Sequence, residues 1–313
     1  MNQEIHTILG ANGAIGLAVK DDLEKRNLAH RLVSRKNAKG LPNYVEADLM
    51  NKEACGQAVK GSSYVYLCIG LPYSHKVWEA QWEIIMQNVI DACSRYDAKL
   101  IFLDNAYMYA NPLPIPFDES TLQLPSSKKG AVRKRTADIL AQAMKQKQVE
   151  ALIGRAPDFY GKTAANSVFY VLFLERILQN KNPQQLSKGD VRHTYANVSD
   201  LGRALVELAL CEDCYQQVWH LPVNEPITME QVLSIINEYL QSDFKIKVMP
   251  KAIKQLLSFF MPILKEAMEM DYQFKQEYIM SDRKFQERFP DFEVTPYRSG
   301  IVEMIEEFKQ KTI

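Results

Sequence analysis

Residues 7–16 read T-I-L-G-A-N-G-A-I-G, and this stretch constrains the chain more than any other. A short β-branched run, predicted as a strand over His6–Leu9, breaks into Gly10, Gly13 and Gly16 and enters a helical pattern over Ile15–Arg26. In this order one glycine permits the tight turn, one lets the backbone approach a ligand, and one lets helix and strand pack closely. The helix N-terminus adds N–H groups without intrahelical partners and a partial positive charge, both of which attract phosphate. Gly10, Asn12, Gly13, Ala14, Ile15 and Gly16 are therefore expected to cradle the pyrophosphate of a dinucleotide. The spacing is G-x-x-G-x-x-G rather than the G-x-G-x-x-G also found at such turns.

Beyond the turn, short apolar runs alternate with helical patterns. Strands are predicted over His30–Ser34, Asn43–Ala47, Tyr64–Ile69, Lys99–Leu103 and Ala151–Arg155, and helices over Lys52–Lys60, His75–Tyr96 and Val132–Gln146. The Tyr64–Ile69 run is almost wholly apolar, as a strand buried on both faces requires. Such alternation predicts an α/β fold, a Rossmann-type doubly wound parallel sheet. A Pro-rich stretch, N-P-L-P-I-P-F-D-E-S, interrupts the pattern within Ala110–Lys128. Beyond Arg155 an apolar helix is expected over Ser167–Gln179, an extended piece over His193–Ala196, a helix over Asp200–Leu210 and a strand over Val218–Leu221. From Thr228 onward the pattern is mostly helical. The predicted division is a dinucleotide-binding domain of 1–158 with 193–221, and a smaller, mostly helical substrate subdomain of 159–192 with 222–313.

The residues at the end of the second predicted strand bear on which dinucleotide is bound. A carboxylate there suits the ribose hydroxyls of NAD, whereas this chain has Ser34, Arg35 and Lys36. Two cations attract a 2′-phosphate, Arg through a planar donor fork, so NADP(H) is expected in preference to NAD(H).

Charge narrows the partners. Lys plus Arg and Asp plus Glu both number 38, which argues against general affinity for nucleic acid or an anionic membrane. The longest apolar runs, Ser167–Leu174 and Leu256–Leu264, fall short of the roughly 20 residues that span a bilayer and read as buried helix faces. The N-terminal M-N-Q-E-I-H-T lacks a basic stretch leading into an apolar run, so a cytoplasmic protein is expected. Five cysteines include a C-x-x-C pair, Cys211 and Cys214, but no second Cys or His pair at zinc spacing, and no metal is expected.

Further segments, in order, resemble the extended and atypical short-chain dehydrogenase/reductases, which include nucleotide-sugar epimerases and dehydratases. E-A-D-L, with Asp48 and Leu49, is similar to their adenine-contacting segment. C-I-G-L, with Cys68, Ile69 and Gly70, resembles the loop beneath their cofactor. G-R-A-P-D-F-Y-G, with Ala156 and Pro157, resembles the segment beside their nicotinamide, where Asp158 and Tyr160 also lie. T-Y-A-N-V-S-D-L-G-R-A matches a further stretch. The resemblance implies a Ser or Thr after the fifth strand, then a Tyr four residues before a Lys, the Tyr exchanging the proton on the substrate oxygen. At these positions the chain has Asn105, Lys129 and Arg133. Asn105, Tyr107 and Lys129 are the expected catalytic residues, with Lys129 also expected on the cofactor; Tyr109 and His193 are weaker candidates. The leading expectation is an oxidoreductase acting on a small carbonyl or alcohol substrate. The resemblance also admits a nucleotide-sugar epimerase or dehydratase, a catalytically silent NADP(H) sensor that regulates a protein partner, and a homodimer through His75–Tyr96 and Val132–Gln146.

Overall fold

Seven parallel strands form the central sheet. Six of them are β1 (His6–Leu9), β2 (His30–Ser34), β3 (Tyr44–Glu46), β4 (Tyr64–Leu67), β5 (Lys99–Asn105) and β6 (Ala151–Ala156), and the seventh is the edge strand Val218–His220. From that edge the order runs through β6, β5, β4, β1 and β2 to β3. The computed structural model describes residues 3–37, 40, 42–167, 169–185, 190–250, 266 and 268–312. The expected Leu256–Leu264 helix face lies outside the described residues, as does Val168. The chain divides into two compact units, one of Met1–Asn111, Leu122–Ala156 and Ser199–Leu221, the other of Pro112–Thr121, Pro157–Val198 and Pro222–Ile313.

In the first unit, β1 pairs with β2 on one side and β4 on the other, so chain order reverses across β1, the switch point at which open α/β sheets bind ligands. The crossovers are the helices α1 (Ala14–Lys25), α2 (Lys52–Val59), α3 (His75–Tyr96) and α4 (Lys128–Lys145). β1, β4 and β6 are buried at every residue, as strands covered on both faces require. Leu9, Val65, Leu67, Leu100, Phe102 and Ile153 pack on one face under α3 and α4. On the helix Val198–Ala209 a Cβ at Gly202 would fall 2.4 Å from the Ala18 carbonyl carbon, so this helix and α1 meet backbone to backbone.

Helix α4 begins four residues earlier than its apolar pattern predicts. Ser127 caps it, its Oγ accepting from Gly130 N at 3.0 Å, and so Lys128, Lys129 and Gly130 form the first turn. Capping is local polar chemistry that hydrophobic periodicity does not register.

The second unit holds the short parallel pairs Phe159–Tyr160 with Ala196–Asn197 and Gln184–Gln185 with Lys247–Val248. The helix Met229–Leu240 starts on a capping box of Thr228 and Gln231, and Tyr297–Thr312 is the last helix. The apolar pattern after Ser167 becomes a wide π-turn over Tyr170–Leu174 followed by α-helix over Glu175–Leu178. The Pro-rich stretch contributes Phe117, whose N–H and carbonyl pair with Ile279 and Ser281. Among the described residues no helix is long and apolar enough to cross a membrane.

His6 lies in β1 with no exposed surface, its Nδ1 2.9 Å from the Tyr66 hydroxyl and its ring stacked on Tyr64. Burial, aided by the nearby His30, pushes its pKa from 6.5 down to about 4. The unfolded chain therefore takes up this proton first, and stability declines as pH falls from 6.5 through about 4. The loss attributable to His6 approaches about 3 kcal/mol. Urea midpoints at pH 7 and pH 4 should converge in His6→Asn relative to wild type; an equal drop in both proteins would show that other groups carry the acid sensitivity.

Candidate functional site

The glycine turn is packed against the loop that follows β4. Gly10 has φ +97°, a conformation that favours glycine, and a Cβ there would lie 2.8 Å from Cys68 O and from Ile69 N and Cα. At Gly16 a Cβ would fall 2.4 Å from Gly10 O, so the first turn of α1 rests directly on the glycine turn. Gly13 stands at the N-cap of α1 with no side chain to satisfy the first N–H groups. The first helical bond runs from Leu17 N to Gly13 O. Ala14, Ile15 and Gly16 thus present their amides at a helix start where bare backbone is accessible to an anion.

Asn12 ties this turn to the end of β2. Its Nδ2 donates to Lys36 O at 2.8 Å, to Tyr44 Oη at 3.1 Å and to Ser34 Oγ at 3.2 Å. A carbonyl oxygen only accepts, so the amide nitrogen must face Lys36. The Asn12 Oδ1 then faces away and, among the described residues, is buried without a hydrogen-bond partner. A buried acceptor without a donor is costly and suits a site whose donor arrives with a ligand. Arg35 and Lys36 are exposed just beyond Ser34.

The other predicted cofactor positions divide. The Cys68 carbonyl and Ile69 backbone form the floor under Gly10, and Gly70 is exposed beyond them. Burial pushes the Cys68 thiol up to about 12, so its side chain is an inert packing group. Asp48 is exposed and its Oδ1 accepts from Met50 N at 3.0 Å. Leu49 lies in the hydrophobic cluster with Val59 and Val89, so its side chain packs in the core. Ala156 closes β6, and Pro157 opens a segment of the second unit.

The predicted catalytic residues converge where β5 meets α4. A Cβ at Gly130 would fall 2.3 Å from Tyr107 O, so the first turn of α4 lies directly on the Tyr107 backbone. Asn105 Oδ1 accepts from Tyr107 N at 3.1 Å, and Asn105 N donates to Asp104 Oδ1 at 2.9 Å. The Tyr107 ring stacks on Trp78, centroids 6.3 Å apart and 11° from parallel. Lys129 is fully buried, its Nζ 4.7 Å from the centre of the Tyr73 ring on the loop after β4. Tyr73 in turn meets Trp78 edge to face. Aromatic faces attract cations, and this one holds the ammonium over the same loop that floors the glycine turn.

Arg133, one turn further along α4, faces inward. Its Nε and Nη2 donate to Asp104 Oδ1 at 2.9 and 2.5 Å, and its guanidinium carbon lies 4.1 Å from the Trp82 ring. Asp104 also meets Arg155, whose Nε lies 3.4 Å from Oδ2. Arg155 Nη1 donates to the Tyr109 hydroxyl at 3.0 Å, and that oxygen lies 2.6 Å from His220 Nε2. All five residues are buried. Burial opposes the Arg155 charge, but Tyr109 and Asp104 outweigh it and hold the guanidinium above its ordinary value. The second unit holds another polar pair, His193 Nε2 3.2 Å from Asp158 Oδ2, with the imidazole stacked against Phe274 and Tyr278.

A family model described as the NAD dependent epimerase/dehydratase family matches residues 6–213. The chain belongs to that family. Among solved structures it is similar to the UDP-glucuronic acid 4-epimerase of Bacillus cereus in complex with NAD, with a TM-score of 0.80, 13% identity, and coverage of 99% of this chain and 100% of that one. It is also similar to the UDP-glucose 4-epimerase of Thermotoga maritima with UDP-glucose, with a TM-score of 0.79, 17% identity and coverage of 99% and 100%. These likenesses establish an epimerase-type fold. An uncharacterized protein of Methanocaldococcus jannaschii is 22% identical over 165 residues, 52% of this chain and half the length of that relative.

Asp104, Arg155, Tyr109, His220 and Tyr73 form the polar and aromatic frame of the region at the end of β5; of these, Tyr109 and Arg155 fall on segments that resemble the family pattern, and Asp104, His220 and Tyr73 do not. One signal was present in the sequence: F-L-D-N and L-I-G-R-A each place a charge at the end of a predicted strand, Asp104 just after Lys99–Leu103 and Arg155 closing Ala151–Arg155. Two such charges of opposite sign on adjacent parallel strands call for one another.

Proposed function

We propose that the chain binds a nicotinamide dinucleotide, NADP(H) in preference to NAD(H), and reduces the carbonyl of a small molecule. The observation that carries this reading is the fully buried Lys129 ammonium over Tyr73, beside the Asn105–Tyr107 turn and at the position where a family tyrosine would stand. When bound, the dinucleotide supplies the hydride that adds to the carbonyl carbon. Lys129 donates a proton to the carbonyl oxygen and is reprotonated before the next turnover. Asn105 has its Oδ1 committed to Tyr107 N, which leaves its Nδ2 hydrogens for the same oxygen. Gly10–Gly16 hold the pyrophosphate, and Arg35 and Lys36 meet the 2′-phosphate.

The preference for reduction over epimerisation rests on the substituted family positions. Oxidising an alcohol, the first step of sugar-nucleotide epimerisation, requires a base to take the hydroxyl proton. Arg133 stands where the family pattern has its lysine, its guanidinium bonded to Asp104, and a guanidinium does not shuttle a proton. The rival reading, nucleotide-sugar epimerisation with NAD, draws support from the family and from the NAD and UDP-glucose named with the similar structures.

Calorimetric titration with NADPH and NADH, followed by a carbonyl panel and UDP-sugars, tests the choice. Tighter NADPH binding with carbonyl turnover is the expected result; UDP-sugar interconversion with NAD would replace the reductase reading by the epimerase one. Lys129→Met is expected to lower kcat by about a hundredfold or more, while NADPH affinity changes far less. Equal loss of affinity and rate would reassign Lys129 to cofactor binding alone. Arg35→Glu should weaken NADPH by about tenfold or more and spare NADH, since it replaces a charge-assisted bond by repulsion.

A further inference from the structure

Arg35 and Lys36 are exposed side chains on a turn, and two mobile cations select poorly unless the backbone beneath them is held. The backbone here is held from two directions. The Lys36 carbonyl accepts from Asn12 Nδ2 at 2.8 Å and from the Tyr44 hydroxyl at 2.6 Å. Tyr44 Oη also accepts from Asn12 Nδ2 at 3.1 Å, closing a three-membered ring of hydrogen bonds. Because Tyr44 donates its hydrogen to Lys36 O, the three atoms have fixed donor and acceptor roles.

Register explains why these residues meet. β2 pairs with β3 so that Tyr44 lies opposite Leu32 and Glu46 opposite Ser34. Glu46 Oε1 accepts from Asn37 N at 3.1 Å, so this carboxylate is tied to the far side of the turn by a backbone amide. The turn therefore has its carbonyl drawn inward toward the glycine turn and its carboxylate neighbour occupied, while both cations stay in solvent.

We propose that Tyr44, acting with Asn12 through the Lys36 carbonyl, is a positioning residue for selection of the 2′-phosphorylated dinucleotide. This rests on the dinucleotide reading above and extends it to a residue on β3 that has no place in the glycine motif. Asn12 serves both ends of the ligand, since it also belongs to the pyrophosphate turn; Tyr44 serves the 2′-phosphate end alone. Loss of the Tyr44 hydroxyl releases the Lys36 carbonyl and lets Arg35 and Lys36 sample other directions.

The test is calorimetric binding of NADPH and NADH to wild type, Tyr44→Phe and Arg35→Ala, with melting temperatures recorded beside each. In Tyr44→Phe the Kd for NADPH should rise about fivefold, the worth of one hydrogen bond, while NADH stays within about twofold. Arg35→Ala should shift the same ratio in the same direction. Equal weakening of both dinucleotides in Tyr44→Phe, or no change in either, overturns the positioning role. Wild type that binds NADH as tightly as NADPH overturns the selectivity and leaves dinucleotide binding standing. Wild type that binds neither overturns the underlying reading, and the clamp with it.

Discussion

Asp104→Ala is expected to lower the unfolding free energy by about 3–5 kcal/mol, the cost of leaving buried charge without its partner. The Asp104 side chain is wholly buried, with Arg133 and Arg155 on its two oxygens and both guanidinium groups themselves about as buried. Removing the carboxylate leaves two like charges close together in a medium that screens them poorly. It also removes the acceptor for Asn105 N, so the turn that carries Asn105 and Tyr107 loosens at the same time. Urea unfolding of Asp104→Ala, Arg133→Met and the double variant separates these contributions. The double variant should be more stable than Asp104→Ala alone, because it relieves one of the stranded charges. Additive losses would mean that Asp104 and Arg133 do not depend on one another and that the network is not the cohesive unit its geometry describes.

The second large effect is expected at Gly13, where stability and binding should part company. Gly13 has φ −76° and ψ 161°, an extended conformation open to any residue. A Cβ there would lie 3.3 Å from Gly10 O, a tight contact relieved by a shift of a few tenths of an ångström. Aspartate is among the best N-cap residues, and Gly13 caps α1 with no side-chain acceptor. Gly13→Asp should therefore fold with a melting temperature near that of wild type. The same carboxylate occupies the helix start that the pyrophosphate needs and repels it, so dinucleotide affinity should fall by at least about a hundredfold. Intact binding in Gly13→Asp would place the dinucleotide elsewhere. Loss of both binding and folding would show that the backbone around Gly13 is too tightly packed to separate the two.

Both variants bear on how far the chain can be read without its structure. The strand and helix runs of the first unit were legible because each is long relative to its period. His75–Tyr96 and His6–Leu9 appear with the bounds their patterns predict, and β4 and β6 begin where predicted. The glycine turn was legible for a different reason: Gly10 and Gly16 have no room for a Cβ, so the motif records steric facts in the sequence itself. Boundaries set by polar chemistry were less visible, as at Ser127, whose cap draws Lys129 into the first turn of α4. Leu49 shows that a motif match names positions and not directions, since its side chain turns into the core.

The sequence by itself determined the fold class, the glycine turn and the order of segments that resemble the family. Periodicity and the backbone freedom of glycine are local properties, and local properties survive in a linear text. Only the tertiary structure decided what the site residues face: Lys129 over Tyr73, Arg133 and Arg155 on one carboxylate, Asn12 and Tyr44 on one carbonyl. Tyr44 apart, these partners lie between 24 and 56 positions away in the chain, wherever sheet register brings them, and no spacing rule within a single element encodes that distance.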